Sequence, residues 1–482
     1  MSYNILILAD NHKKDIFLFL ILFVLSVISV YYFPPFLNKV FFLLLLTIAF
    51  ASRKDYFWFT YFIIIVSGPM RLFEDYGGAV IHRIPEYNLI GNYGLTFIEL
   101  LLIVFFIKAK IKGRKNNLIL SKYYHLVFAL IGFLVILSFL YGIEMSSFIG
   151  YARKFLIFTL FYSFPRLIRE KDFIFMFKIF SVLTLLTFIN QVLTASVGFN
   201  LADEIAGKHW VEFFFMDTQY LRAYDSVLSQ FFTFIFGLTL YSMKKPPINP
   251  KFLLFIIGIS FLSIFITGTR GWMVAFSVVV ILYILFVKKR KAKVITNGIV
   301  ALMLIFILAS FFTPIQLLLR SNVERLSTLT SVIQGDLTAE GTISRLNVRL
   351  PKVVEGIKRN PILGWGFSET YAKYDDGHVG FANQVLQSGI IGTIVLVIFL
   401  AKFWLLNKNI EKRLPRNNNF KNSLLSLNLG MISLIIIHFT STQIFGFSMH
   451  QIILTMVIVY FLLADVWQKL ALREVTENTE KR

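Results

Sequence analysis

Two kinds of side chain in this sequence could do chemistry: a scattered set of arginines and a loop histidine. Arg270 lies in the turn Thr267-Gly268-Thr269-Arg270-Gly271. Arg345, Arg349 and Lys352 fall at i, i+4 and i+7 within the stretch 342–361, which places them on one face of a helix. A guanidinium is planar and grips phosphate or carboxylate oxygens through two parallel bonds. Fixed arginines therefore suit an anionic, phosphate-bearing ligand. His378 follows in Gly377-His378. Histidine titrates near neutral pH, so at the mouth of a partly dry site it can take a proton. Arg153 is a further phosphate contact and Glu99 a weaker candidate base. Plainer readings stay open for each. A single arginine can pair with a nearby acid or a lipid headgroup, and Glu99 can be a helix-end acid at the membrane interface. The 342–361 stretch can be a surface helix with a solvated basic face. Its apolar residues Leu346, Leu350, Val353, Val354 and Ile357 repeat at helical spacing. Pro351 breaks a continuous helix, or else opens a second helical piece at its first turn.

The elements that must hold these residues are apolar. Of 482 residues, 57% are hydrophobic, and the mean hydropathy is +0.71. Apolar runs of about 17–25 residues recur, the length a helix needs to cross the hydrocarbon core. They do not alternate in polarity as barrel strands do. The fold class is an all-α polytopic membrane protein with about 14 transmembrane helices (12–14). The predicted spans are 16–33, 36–51, 55–69, 95–108, 123–142, 149–165, 173–197, 226–243, 251–267, 271–287, 294–313, 382–401, 422–441 and 449–468. Lys13 and Lys14 precede the first run with no small-residue cleavage site after it, so it reads as a retained helix. There are no cysteines, hence no disulfides and no thiolate nucleophile, and the seven histidines form no ligand cluster.

The formal net charge is +21, but its distribution follows topology and argues against a nucleic-acid partner. With the N-terminus in the cytoplasm, the basic clusters Arg53/Lys54, 108–122, Arg166/Arg169/Lys171, Lys244/Lys245, 288–293 and 402–421 all fall inside, as the positive-inside rule requires. Both termini are then cytoplasmic, and one long extracytoplasmic loop, 314–381, carries the amphipathic helix. A loop of that length generally has a function. The inside residues are mostly lysine, whereas the outer ones are mostly arginine. Topology needs only charge, so the outer arginines point to a ligand. Polar groups near outer helix ends, namely Glu99, Arg153, Lys154, Asn190, Gln191, Arg270 and His438, are costly in a bilayer and outline a polar chamber.

Three segments stand together in order. They are the Thr-Arg-Gly turn at 269–271, the arginine-bearing loop, and Asn360-Pro361-Ile362-Leu363-Gly364-Trp365-Gly366 followed by His378 and the glycine-marked helix with Gly389 and Gly392. This set resembles the bacterial O-antigen ligase and O-antigen polymerase superfamily, most strongly over 255–400. In the ligases the last element reads His, then Asn, Ser or Gln, then nine residues before Gly. His378, Gly389 and Gly392 fit that spacing, while Val379 does not fit the second position and leans the reading toward polymerase. The chain divides accordingly into an N-terminal helix array 1–254, a ligase/polymerase-like core 255–402 and C-terminal helices with a tail 403–482.

The resemblance implies metal-independent transfer of a glycan from a polyprenyl diphosphate carrier to a sugar hydroxyl, with no cofactor. The acceptor is a second glycan or lipid A core, reached at the outer face of the bacterial inner membrane among membrane lipids. A flippase and a chain-length regulator are the protein partners it implies. Arg270 would bind the diphosphate and offset its charge as the bond breaks, with Arg345, Arg349 and Arg153 assisting. His378 would take the acceptor proton. The alternative is a transporter: a flippase of lipid-linked oligosaccharide would also need many spans and a cationic cavity.

Overall fold

A computed structural model describes residues 12–73, 84–90, 93–112, 118–197, 199–206, 227–286, 316, 320, 323, 349–376, 379–415, 418, 420–440 and 451–480. Helices dominate: α1 Lys13–Tyr32, α2 Pro35–Ala51, α3 Asp55–Ser67, α4 Phe97–Lys112, α5 Tyr124–Leu140, α6 Met145–Phe155, α7 Leu160–Leu167, α8 Phe173–Val197, α9 Leu201–Ala206, α10 Leu228–Tyr241, α11 Pro250–Ile266, α12 Arg270–Phe286, α13 Leu350–Arg359, α14 Glu369–Tyr374, α15 Gly380–Arg413, α16 Lys421–Thr440 and α17 Gln451–Glu480. Among the described residues, six helical stretches are long and apolar enough to cross a membrane: Lys13–Tyr32, Leu120–Leu140, Glu170–Thr194, Gly380–Arg413, Lys421–Phe439 and Ile453–Glu474. Five shorter apolar helices accompany them. This is a helical membrane protein. The predicted span 294–313 lies outside the described residues, as does most of the predicted loop before Arg349.

Local sequence sets the helix ends. α2 and α11 open on proline at their first position, where the missing N–H is no loss. The Asn249 side chain accepts the Lys251 N–H to cap α11 (2.9 Å). α3 stops at Gly68, whose φ of 51° ends the helix in the left-handed region.

Two places depart from the predicted span pattern. Residues 86–90 and 93–96 form an antiparallel two-stranded hairpin, an addition to the all-α reading. Gly91-Asn92 lies between the strands in sequence, a pair typical of tight hairpins. The predicted span 149–165 is the amphipathic α6, a 3-10 turn at Leu156–Thr159, and the short α7. No residue of α6 is fully buried, because Ser146, Ser147, Arg153 and Lys154 make it too polar for one apolar run.

At the end of the bundle away from residues 350–376, buried charges tie the helices together. Lys108 pairs with Asp55 (2.6 Å), which also binds Lys112. Lys108 donates to the carbonyls of Ala49 and Ser52 (2.7 and 2.8 Å) at the end of α2. Asp465 of α17 accepts the backbone N–H groups of Ile119, Leu120 and Ser121 (2.8, 2.8 and 3.0 Å) and the Tyr124 hydroxyl (3.1 Å). A buried carboxylate persists where donors surround it in this way.

Candidate active site

Residues 349–391 form a compact unit at one end of the bundle. Pro351 sits in the first turn of α13, as the second of the two sequence readings has it. Val353, Tyr371, Tyr374 and Leu386 make a small core of their own. α15 is not one continuous helix: Gly389 has φ 61° and ψ −171°, which breaks it. The break frees backbone groups on both sides, and the Asn360–Gly366 segment satisfies them. Trp365 and Gly366 donate N–H bonds to the carbonyls of Leu386 and Gln387 (3.0 and 2.8 Å), and Ile390 and Ile391 donate to Pro361 and Ile362 (2.9 and 3.2 Å). The Asn360 side chain donates to Gly364 (2.6 Å), closing the turn from within. The Trp365 indole donates to the Gly356 carbonyl (3.0 Å), fixing α13 to the turn. These bonds answer the rule that buried backbone groups be paired.

The unit is docked on α5 and α6. Phe367 N–H donates to the Ser138 hydroxyl (2.7 Å), and Glu369 N–H to the Gly142 carbonyl (3.2 Å). Gly366 has φ 59° and lies so close to Leu134 and Ser138 that a side chain would not fit. The Trp365 ring meets Tyr141 (5.0 Å) and the Phe367 ring meets Tyr151 (4.5 Å).

Both this unit and α6 carry charged groups. Arg349 faces Asp376 at 3.7 Å. Asp375 is held by the Asn383 amide and the Tyr371 hydroxyl (3.1 Å). Burial pushes its carboxyl above the ordinary aspartate value, against these two bonds, which lower it. On α6, Arg153 forks onto Glu99 through Nε and Nη2 (2.8 and 3.0 Å) and reaches Glu86 of the hairpin at 3.1 Å. Glu99 also accepts from the Thr96 N–H and hydroxyl (2.6 and 3.0 Å). Arg153 thus has Glu99 and Glu86 as its acids, and Glu99 stands in the first turn of α4. Next to Arg153 in sequence, Lys154 sets its ammonium 5.3 Å from the Tyr151 ring centroid.

The Arg270 turn stands between α11 and α12, with Gly268 at φ 62°. Beneath it lies a buried polar layer. Ser263 donates to Gln191 (2.6 Å), Gln230 donates to Ser263 (3.3 Å), and Ser260 donates to the Gln230 carbonyl (2.5 Å). The Arg270 side chain, Arg345 and His378 lie outside the described residues. The structure pairs Arg153 with Glu99 and Glu86, sets Arg349 against Asp376, and places Asp375 beside Tyr151 and Lys154 of α6.

An apolar groove of about 490 Å³ runs between α15 and α16, lined by Phe381, Leu396, Leu400, Trp404, Ile435 and His438 among others. His438 is buried there with neither ring nitrogen bonded. Among the described residues, no group of three His, Asp or Glu side chains could hold a metal ion.

Residues 254–397 match the O-antigen ligase family. The matched segment covers α11 from Leu254 on, α12 and the whole unit from Arg349 through the Gly389 break, so the resemblance to the O-antigen ligase and polymerase superfamily holds where the interlocked turn is found. It supports a ligase- or polymerase-type, glycosyltransferase-like function on lipid-linked glycans in a membrane. A comparison with curated proteins gives no match. Within the O-antigen ligase segment, sequence reasoning missed Asp375 and the fully buried Gln387, neither of whose amide atoms is bonded. The only signal was composition: Asp375 stands in Lys-Tyr-Asp-Asp-Gly, which reads as a solvated loop.

Proposed function

We propose that this protein is a surface-polysaccharide polymerase or ligase of the O-antigen type, polymerase being favoured, that transfers a glycan from polyprenyl diphosphate to a sugar hydroxyl at the extracytoplasmic face. Its termini lie in the cytoplasm and residues 255–402 form the working core. The observation that carries this reading is the interlocked unit 349–391, which lies in the segment matching the O-antigen ligase family and sets Asp375 beside Tyr151 and Lys154 of α6.

The chemistry follows from the leaving group. A lipid diphosphate departs as an anion and needs compensating positive charge rather than a proton. Arg270, Arg345 and Arg349 supply that charge. Arg153 has its fork already on Glu99 and Glu86, so it reaches phosphate only by giving up a carboxylate. As the anomeric carbon–oxygen bond to phosphate breaks, the acceptor oxygen bonds to that carbon. The acceptor hydroxyl proton passes to His378, which works here without a metal. Asp375 and Asp376, the latter faced by Arg349, lie three and two residues before the histidine and orient the acceptor. Glu99, held by Arg153 and Thr96, is poorly placed to collect a proton. The apolar groove beside Phe381 suits an isoprenoid chain.

Deleting the gene and resolving the surface polysaccharide on a gel tests the reading. Loss of every chain longer than one repeat identifies a polymerase. Full-length polymer retained on its lipid carrier identifies a ligase. An unchanged polysaccharide overturns both.

A further inference from the structure

Lys154 is a half-buried cation that makes no ion pair among the described residues. Among the described residues, no carboxylate comes within 4.0 Å of its ammonium. Asp375 acts on Lys154 only through space and is tied to Asn383 and Tyr371. Helix geometry does not supply the missing charge either. The carbonyls of Arg153 and Lys154 are both met by the Leu156 N–H, because the chain continues helically past α6.

The Lys154 stem is held in place. Its ammonium lies over the Tyr151 ring, which packs on Phe367 of the docked unit. The charge is therefore held where α6 meets residues 349–376. An ammonium kept away from water without a partner is costly, and the cost is relieved when an anion arrives. Lysine serves phosphate as a point charge with three donors.

We propose that Lys154 is a phosphate-binding residue at this contact between α6 and the unit 349–391. The anion is a diphosphate, an identity that rests on the donor proposed above. Sequence position alone would favour the arginine, since it can bind phosphate by two bonds. The structure has already used that fork.

The test uses the full-length protein in nanodiscs with inorganic pyrophosphate, then polyprenyl diphosphate, as probes. Lys154→Met removes the charge and keeps the stem over Tyr151, so folding is preserved. Lys154→Arg keeps the charge. The wild type should gain thermal stability with pyrophosphate, Lys154→Met should lose at least tenfold in apparent affinity, and Lys154→Arg should stay within about threefold. Equal pyrophosphate affinity in wild type and Lys154→Met overturns the proposal, as does no pyrophosphate binding by the wild type. If pyrophosphate binds through Lys154 while polyprenyl diphosphate does not bind, the phosphate site stands and the lipid-linked donor reading falls.

Discussion

Gly364 and Gly389 pack backbone against backbone, each at positive φ, 74° and 61°. A Cβ on Gly364 would collide with the Gly389 nitrogen and the Gln387 carbonyl, and one on Gly389 with the Ile362 carbonyl. The two glycines let the turn at 360–366 enter the break in α15 and pair its freed backbone groups. The break sets the angle at which the charged unit leaves the membrane helix.

Gly389→Ala and Gly364→Ala should therefore each destabilise the protein by at least about 2 kcal/mol, combining left-handed strain with a steric clash. Gly258→Ala, where an added Cβ meets nothing within 4 Å, should leave the melting temperature nearly unchanged. Thermal unfolding in detergent, followed by size-exclusion chromatography, measures all three.

Arg153→Ala should strand a buried Glu99, whose side chain is 6% exposed. An unpaired buried carboxylate costs roughly 2–4 kcal/mol, at the lower end here because Arg153 is partly solvated. Removing Glu99 as well should recover part of that loss, since the uncompensated charge goes with it. A double-mutant cycle on melting temperature gives the coupling directly.

Asp375 carries a pH signature. Its folded-state pKa is raised by burial, so its contribution to stability is fully present below the unfolded aspartate value and is lost as pH rises through the folded one. Asp375→Asn stays neutral throughout and can still accept a bond from Asn383. Its melting temperature should exceed that of the wild type at pH 8, and the difference should shrink toward pH 4. A difference that grows on acidification contradicts the assignment.

His378→Ala and Arg270→Ala should each lower glycan transfer by about 10²–10⁴-fold while leaving membrane insertion intact. Turnover by inserted protein, normalised to its amount, is the measurement. Full activity in Arg270→Ala removes the diphosphate role, and full activity in His378→Ala removes the base.

Much of the helical framework was legible because apolar runs of membrane length report burial in lipid residue by residue. Pro351 marked the start of α13 for a similarly local reason. The rest depended on contacts between distant positions. Glu99 and Arg153 lie 54 residues apart, and no local pattern announces their pairing. Gly389 was visible as a glycine in an apolar helix, but its φ is set by the partner segment 25 residues earlier, at Gly364. Lys154 looked like any polar residue near a helix end until its neighbours were seen to be occupied. The hairpin at 86–96 was hidden by its short strands, which apolar-run counting does not detect.

The most direct test of the central proposal is a transfer assay with purified protein in liposomes, supplied with polyprenyl-diphosphate-linked repeat units as both donor and acceptor. The expected result is glycan longer than one repeat together with released polyprenyl diphosphate. Lipid-linked units that cross the bilayer with no change in glycan length would contradict an enzyme and identify a transporter.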